Sequence, residues 1–233
     1  MKTAIVTGAN SGIGFAIAKK LVENDFNVIS LDLEHSNSFF ECYNIDISDT
    51  RQIEEVISKI PQIDVLVNNA GVYFEKYITE TSDNDIDKMV DINIKGTYKM
   101  IRACMPKLLR RRGSIVNIAS CLGLVPEFTS PLYCATKAAI IMLTKCIAGE
   151  YAIEGVRANC VLPGPIDTPL LQSSFTSEEQ KAKCVKRIPL GEIGTPDDIA
   201  NMVNFLVSDK AEFITGGLFS VDGGISAGSI YSK

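Results

Sequence analysis

The chain has 233 residues, 46% of them hydrophobic, which is enough for one α/β domain with a full core. Its formal net charge is −5 and its longest basic run is the arginine triplet at 110–112, so we expect no nucleic-acid partner. The single histidine, His35, excludes a zinc site built on several histidines and disfavours a Ser-His-Asp hydrolase, so we expect no metal.

The cysteines and the apolar runs indicate the cellular compartment, which we expect to be the cytoplasm. Seven cysteines are scattered without a CxxC pair, a pattern typical of reduced thiols in a cytoplasmic protein. No apolar run reaches the length that spans a bilayer, and glycines interrupt the apolar N-terminus, so we expect neither a membrane span nor a signal peptide.

Strands alternate with helices along the chain. Short apolar runs predict strands at 3–7, 27–32, 42–45, 63–67, 114–119, 157–161 and 218–221. Helical periods lie at 12–24, 48–59, 83–111 with a bend near 93–96, 130–151 and 196–208. This alternation predicts a Rossmann-type, doubly wound parallel sheet of about seven strands in three α/β/α layers. We expect residues 1–233 to form one domain, with a substrate loop or lid at about 163–194.

A glycine-rich turn, TGANSGIG at 7–14, follows the first strand. Its three glycines can let the backbone approach a pyrophosphate, whose charge the helix N-terminus then stabilises. Asp32 ends the second strand, where a carboxylate either caps a turn or accepts a hydrogen bond from a ribose 2′-hydroxyl and repels a 2′-phosphate. With no lysine or arginine in the glycine turn or directly after Asp32, the sequence favours NAD(H) over NADP(H).

A tyrosine and a lysine stand four residues apart in YCATK, at 133–137. On a helix Tyr133 and Lys137 share one face, and a nearby ammonium favours the phenolate over the phenol. Taken alone, such a pair is usually surface decoration. Ser120, however, ends the preceding strand at the edge of the sheet where open α/β folds bind ligands.

These motifs together resemble the short-chain dehydrogenase/reductase family over essentially the whole chain. The matching stretches are TGANSGIG at 7–14, NNAG at 68–71, Asn93 in DINIKG, Ser120, YCATK at 133–137 and LPGPIDTP at 162–169. One departure is the irregular segment 33–41, which is shorter than the helix that many members have there.

The resemblance implies specific roles. Tyr133 would be the general acid/base, Lys137 would lower its pKa and hold the nicotinamide ribose, and Ser120 would bind the substrate oxygen. Asn93 would hold a water that links Lys137 to solvent. The implied cofactor contacts are Gly8, Ser11, Gly12, Ile13 and Gly14 at the pyrophosphate, Asp32 at the ribose, Asp46 and Ile47 at the adenine, Asn69, Ala70 and Gly71 along the adenosine side, and Tyr133, Lys137, Pro163, Ile166 and Thr168 at the nicotinamide.

The sequence therefore predicts an NAD(H)-dependent oxidoreductase that interconverts a secondary alcohol and a ketone without a metal. The alternative enzyme is a 3-oxoacyl-carrier-protein reductase that uses NADPH. The alternative of another class is a non-catalytic dinucleotide-binding or scaffold protein. Family members are commonly tetramers, so we expect a homo-oligomer, either a tetramer or a dimer.

Two features of the predicted substrate side stay open. An apolar pocket is suggested by five residues, which could equally be core or subunit contacts and do not identify the alcohol or ketone: Pro126, Phe128, Leu170, Leu171 and Phe175. Cys121 and Cys134 flank Ser120 and Tyr133, and we expect both to be packing residues, with thiol-sensitive activity as the alternative.

Overall fold

A computed structural model of the chain, describing residues 1–35 and 39–228, contains one seven-stranded sheet in which all neighbouring strands are parallel. The strands are β1 Lys2–Thr7, β2 Phe26–Asp32, β3 Glu41–Asn44, β4 Val65–Asn68, β5 Ser114–Ile118, β6 Arg157–Pro163 and β7 Leu218–Val221. Their order is β3-β2-β1-β4-β5-β6-β7, so the direction of winding reverses between β1 and β4. The predicted Rossmann-type fold is confirmed.

Helices cover both faces of the sheet. They are α1 Gly12–Glu23, α2 Thr50–Lys59, α3 Asp83–Val90, α4 Thr97–Arg111, α5 Pro131–Tyr151, α6 Pro169–Ser174, α7 Glu178–Lys186 and α8 Pro196–Val207. One core cluster joins α1 and α8 to the sheet, a second joins α2, α4 and α5 to the opposite face, and a smaller third packs Ile140 and Ile141 of α5 with Cys160 and Leu162 of β6. The central strands β4 and β5 are buried along their whole length, which explains their continuous apolar character.

Local signals set where several helices begin. The carboxylate of Asp49 accepts a hydrogen bond from the backbone N–H of Arg51 at 2.8 Å and so caps α2. At α8, Asp198 accepts from the backbone N–H of Thr195 at 2.7 Å, and Pro196 occupies the first turn, as the sequence predicts.

The predicted helix 83–111 is not a bent α-helix. Between α3 and α4 lies a π-helical turn, Asp91–Gly96, which inserts an extra residue into the helical path and directs Asn93 into the interior. Gly96 permits the close packing there, because a Cβ on it would lie 2.8 Å from the Ile47 side chain.

The segment 163–194 is more regular than its composition suggests, since it contains α6 and α7. The hydroxyl of Thr168 accepts from Leu171 N–H at 3.2 Å, and that of Ser177 accepts from Gln180 N–H at 3.3 Å, so each helix has an N-cap. Neither of these two helices contains a fully buried residue. Residues 33–35 and 39–40, between β2 and β3, form no helix, and residues 36–38 lie outside the described part.

One helix departs from the premise that no apolar stretch is long enough to span a bilayer. Helix α5 is long and apolar enough to cross a membrane by length and composition. In this fold it packs against the sheet through buried side chains such as Ile140, Thr144 and Ile147, so its apolar character also suits a core helix.

Candidate active site

A cavity of about 770 Å³ lies at the carboxyl ends of the strands, where the winding of the sheet reverses. Most of the predicted site residues line it: Gly8, Ser11, Gly12, Ile13, Asp32, Asp46, Ile47, Asn69, Ala70, Gly71, Ser120, Tyr133, Lys137, Pro163, Ile166 and Thr168. Gly14 and Asn93 do not line the cavity; they lie behind its wall. The fold thus brings together residues that are separated by up to 160 positions (168 − 8).

The glycine turn forms a cradle that side chains would fill. Gly8 and Gly12 have φ angles of 67° and 54°, in the left-handed region that favours glycine. A Cβ on Gly14 would lie 2.0 Å from the Gly8 carbonyl oxygen, so the helix can approach the turn only with glycine there. This cradle at a helix N-terminus fits the pyrophosphate of a dinucleotide.

The NNAG segment is tied directly to this turn. The Thr7 hydroxyl accepts hydrogen bonds from the backbone N–H groups of Asn69 and Ala70, both at 3.0 Å. The Asn69 side-chain amide donates to the carbonyls of Thr7 at 3.0 Å and Gly8 at 3.1 Å. Thr7 is therefore a supporting residue that sequence reasoning missed, and its place at the start of the glycine motif was the available signal.

Asp32 is fixed at the end of β2 and faces the cavity. Its two carboxylate oxygens accept from the backbone N–H groups of Asn10 at 3.0 Å and Leu33 at 2.8 Å. The cationic side chains on the described wall, Lys137, Lys183 and Arg187, come from α5 and from the end of α7 rather than from this strand end.

The predicted reactive residues converge where β5 ends. Lys137 is 6% exposed, and its ammonium donates to the Ile118 carbonyl at 3.0 Å. The same Lys137 Nζ lies 5.5 Å from the centre of the Tyr133 ring. Ser120 is also buried, and its hydroxyl accepts from the Leu122 N–H at 3.1 Å. A phenol, an ammonium and a hydroxyl thus line the same part of the cavity.

Burial controls the protonation of this pair. Burial raises the pKa of Tyr133, and the hydrogen bond with the Ser120 hydroxyl lowers it by less. Burial also lowers the pKa of Lys137 to about 8. The expectation that Lys137 brings the Tyr133 pKa below its ordinary value is therefore not met by the protein alone. The same apolar surroundings disfavour both the phenolate form of Tyr133 and the ammonium form of Lys137, and the ammonium donates its hydrogen bond to the Ile118 carbonyl.

Asn93 has its side chain inside the structure instead of in the cavity. It is 1% exposed, and its amide oxygen accepts from the Val72 N–H at 2.8 Å. The amide nitrogen donates to the Val72 carbonyl at 3.0 Å and to the Thr136 hydroxyl at 3.2 Å. The π-helical turn thus connects the segment after NNAG to helix α5, one residue before Lys137.

The rest of the cavity is lined by side chains of the segments 122–129 and 170–187, together with Tyr73 beside Tyr133. These are Tyr73, Leu122, Glu127, Thr129, Leu170, Leu171, Phe175, Gln180, Lys183, Cys184 and Arg187. Glu127 and Arg187 form an ion pair of 2.7 Å between the loop before α5 and the end of α7. Pro126 and Phe128 are not part of this wall, since they line a neighbouring groove of about 540 Å³ together with Tyr77 and Ile78.

The two flanking cysteines match packing residues. Cys121 is buried, and burial raises the pKa of its thiol to about 11. A thiol with so high a pKa carries little thiolate at neutral pH, and thiolate is the reactive form. Cys134 is partly buried, and its sulfur accepts from the Glu127 N–H at 3.4 Å.

This fold and this arrangement define a class. A family profile described as Enoyl-(Acyl carrier protein) reductase matches residues 8–226. The chain belongs to the short-chain dehydrogenase/reductase family, a class of oxidoreductases that use a nicotinamide dinucleotide. It is 37% identical over 234 residues to the 3-oxoacyl-(acyl-carrier-protein) reductase FabG of Rickettsia felis, with 96% of each chain covered. The corresponding FabG of Thermotoga maritima is 33% identical over 241 residues, covering 96% of this chain and 97% of the relative.

Solved structures show the same architecture. The ligand-free aldohexose dehydrogenase of Thermoplasma acidophilum has a TM-score of 0.95 at 34% identity, covering 100% of this chain and 96% of that one. ElxO with NADP bound has a TM-score of 0.90 at 34% identity, covering 97% and 99%. The Brucella melitensis 3-ketoacyl-(acyl-carrier-protein) reductase complexed with NADH has a TM-score of 0.89 at 30% identity, covering 97% and 98%.

Proposed function

We propose that this protein interconverts a ketone and a secondary alcohol with a nicotinamide cofactor, and that 3-oxoacyl thioesters are its substrate class. The observation that carries the proposal is the convergence of Ser120, Tyr133 and Lys137 at one end of a cavity whose other lining includes the glycine cradle. A protein that only binds a dinucleotide has no need for a half-buried phenol and a buried ammonium beside its cofactor.

Each reactive side chain has a task in this proposal. The hydroxyls of Ser120 and Tyr133 donate hydrogen bonds to the carbonyl oxygen, where negative charge develops during reduction. A bound nicotinamide supplies the hydride. Tyr133 then gives its proton to the oxygen. Because burial raises its pKa, the phenol stays protonated near neutral pH, which suits reduction better than oxidation. Lys137 holds the nicotinamide ribose and places the positive charge of its ammonium near the phenol.

The substrate class rests on the relatives together with the wall of the cavity. The full-length relatives are named 3-oxoacyl-(acyl-carrier-protein) reductases, and this favours a 3-oxoacyl thioester over a simple alcohol. Leu122, Leu171 and Phe175 provide apolar surface for an acyl group. A second candidate is a small polyol or sugar, favoured by the likeness to an aldohexose dehydrogenase and by the charged Glu127 in the wall.

The choice between the two nicotinamide cofactors depends on Asp32. Its carboxylate, held by two backbone N–H groups, would accept from a ribose 2′-hydroxyl and repel a 2′-phosphate, so we propose that NADH is accepted. The FabG names weigh toward NADPH, and the structural relatives include one with NADP and one with NADH.

Two features of assembly belong to the same proposal. Residues 1–233 act as one domain, and α6 and α7 form a lid that closes over the substrate. The active form is a homo-oligomer, as is common in the family. Size-exclusion chromatography with light scattering tests the oligomeric state, and a monomer of full activity would contradict the proposed homo-oligomer.

The test is a reductase assay with acetoacetyl-CoA as the 3-oxoacyl thioester, following nicotinamide absorbance with NADH and NADPH in parallel. We expect turnover, and Tyr133→Phe should lower kcat by about 10²–10⁴-fold, the usual contribution of a general acid. Cofactor affinity, measured by fluorescence titration, should be retained in that variant. Unchanged turnover in Tyr133→Phe, or no turnover of any ketone, would contradict the proposal. A strong preference for NADPH would contradict only the proposed role of Asp32 and would leave the proposed reaction standing.

A further inference from the structure

Tyr73 lies in the wall of the cavity, directly against Tyr133, and the proposed chemistry does not use it. The two ring centres are 5.0 Å apart, and the ring planes cross at 84°, which is an edge-to-face contact. Tyr73 belongs to the segment that follows NNAG, whereas Tyr133 belongs to α5. The contact therefore joins two separate parts of the site at the reacting phenol.

A tyrosine ring needs such a contact to keep one orientation. The torsion that sets the plane of a tyrosine ring is broad; the hydroxyl oxygen lies on the axis of this torsion, so the ring plane sets the direction of the O–H bond and not the position of the oxygen. Among the described residues, two groups have contacts with the Tyr133 ring itself: Lys137 Nζ, which lies 5.5 Å from the ring centre, and the Tyr73 ring. Of these two, only Tyr73 presents a rigid surface to the ring.

Tyr73 is itself held in place by its neighbour. The backbone of Val72 both donates to and accepts from the Asn93 amide, at 2.8 and 3.0 Å, and Asn93 also donates to Thr136 on α5. The segment that carries Tyr73 is thus connected by a buried amide to the helix that carries Tyr133. This connection holds together the two backbone segments that carry the rings.

Tyr73 acts through its ring and not as a second acid/base. Burial raises the pKa of its phenol, while the Ser130 hydroxyl lowers it by less. The Ser130 hydroxyl is buried and has no hydrogen bond of normal geometry among the described residues, so a neighbouring phenol that stays protonated can satisfy it.

We propose that Tyr73 is a positioning residue for Tyr133, whose ring fixes the plane of the acid/base phenol and limits the access of water to it. The inference rests on the proposed function, because it assigns Tyr73 a role in the same proton transfer. Removing the ring should leave cofactor binding intact and slow the proton transfer.

The experiment compares Tyr73→Ala with Tyr73→Phe, which keeps the ring. We expect Tyr73→Ala to lower kcat about tenfold, the rate equivalent of one lost aromatic pair, and Tyr73→Phe to stay within about twofold. The dissociation constant for the cofactor should be unchanged in both. In Tyr73→Ala the apparent pKa of the pH–kcat profile should fall, because water entering the cavity relieves the burial of Tyr133. The other titratable groups that face Tyr133, namely Cys121, Cys134 and Lys137, are the same in both variants.

The outcomes separate this inference from the proposed function. If wild type turns over and Tyr133→Phe does not, but Tyr73→Ala keeps full kcat, the positioning role is overturned and the function stands. Equal losses in Tyr73→Ala and Tyr73→Phe would also overturn it, since the hydroxyl and not the ring would then matter. If wild type itself fails to reduce any ketone, the proposed function fails and the inference fails with it. Tyr73→Leu, checked by thermal unfolding, replaces the alanine variant if that variant does not fold.

Discussion

The two ends of the cavity are built in different ways. At the end proposed for the cofactor, backbone segments of fixed conformation form much of the surface: the glycine turn, the strand end that holds Asp32, and the NNAG segment bonded to Thr7. At the end proposed for the substrate, side chains form the surface, and α6 and α7 contribute no fully buried residue. One end is defined by backbone positions that tolerate few residue types, and the other by exposed side chains that can change without disturbing the core.

Because of this difference, the two ends are suited to two kinds of recognition. A surface of backbone groups recognises what all dinucleotides share, the pyrophosphate and the ribose. A surface of side chains can be adapted to one substrate by a few substitutions. We therefore expect substitutions at the cofactor end to affect binding and stability strongly, and substitutions at the substrate end to affect mainly the choice of substrate.

The largest effect is expected when the glycine turn is changed. In Gly14→Ala the new Cβ would lie 2.0 Å from the Gly8 carbonyl oxygen, so the helix must move away from the turn. We expect a loss of about 2 kcal/mol or more in the free energy of unfolding and of about 100-fold in cofactor affinity. Thermal unfolding and fluorescence titration measure the two.

A matched control is available on another helix. Gly149 in α5 has no atom within 4 Å of its added Cβ, so Gly149→Ala should leave cofactor affinity unchanged and stability equal or higher. Equal damage from both variants would show that the close approach at Gly14 is not what matters.

The next effect depends on pH. Lys137 has a folded-state pKa of about 8, below its ordinary value of 10.5, so between these two pH values the unfolded chain binds more protons than the folded one. Stability should therefore rise with pH from about 8 to about 10.5, by up to about 3 kcal/mol relative to Lys137→Met. Urea unfolding of both proteins across this range measures it. Parallel stability curves for wild type and Lys137→Met would show that burial does not disfavour the ammonium.

The smallest effect on stability is expected at the substrate end. Breaking the Glu127–Arg187 ion pair with Arg187→Ala should cost less than about 1 kcal/mol, because the Arg187 side chain is 60% exposed and solvent screens the pair. The same variant should change KM for the substrate, since both residues line the cavity. Lys59→Ala, which breaks an exposed pair within α2, is the control and should leave KM unchanged. If both variants leave KM unchanged, the pair takes no part in substrate binding.

The same contrast explains what the sequence predicts well. Strands β4 and β5 follow from continuous apolar runs, and the glycine turn with Asp32 follows from a motif in which each residue type has a backbone reason. Ser120, Tyr133 and Lys137 lie together as their spacing and the resemblance suggest, although their roles stay predictions.

Other features depend on information that local patterns do not carry. The π-helical turn at 91–96 differs from an α-helix by one residue per turn, a difference that apolar periodicity does not resolve. The Tyr73–Tyr133 contact and the Glu127–Arg187 pair each join residues 60 positions apart (133 − 73 and 187 − 127), so only the folded chain reveals them. The raised pKa of Tyr133 depends on burial, which its neighbours in the sequence do not report.

The packing of the first helix against the last has a consequence for synthesis on the ribosome. Ile17 and Leu21 of α1 are buried in the same cluster as Ile199 and Val203 of α8. Strands β1, β2 and β3 are complete by residue 44, but α8 begins only at residue 196. The apolar face of α1 therefore stays uncovered during most of translation, a condition that favours aggregation and engages chaperones. A nascent chain that stops before α8 should be degraded rapidly, even though it already contains every residue of the glycine cradle and all the residues predicted to be catalytic.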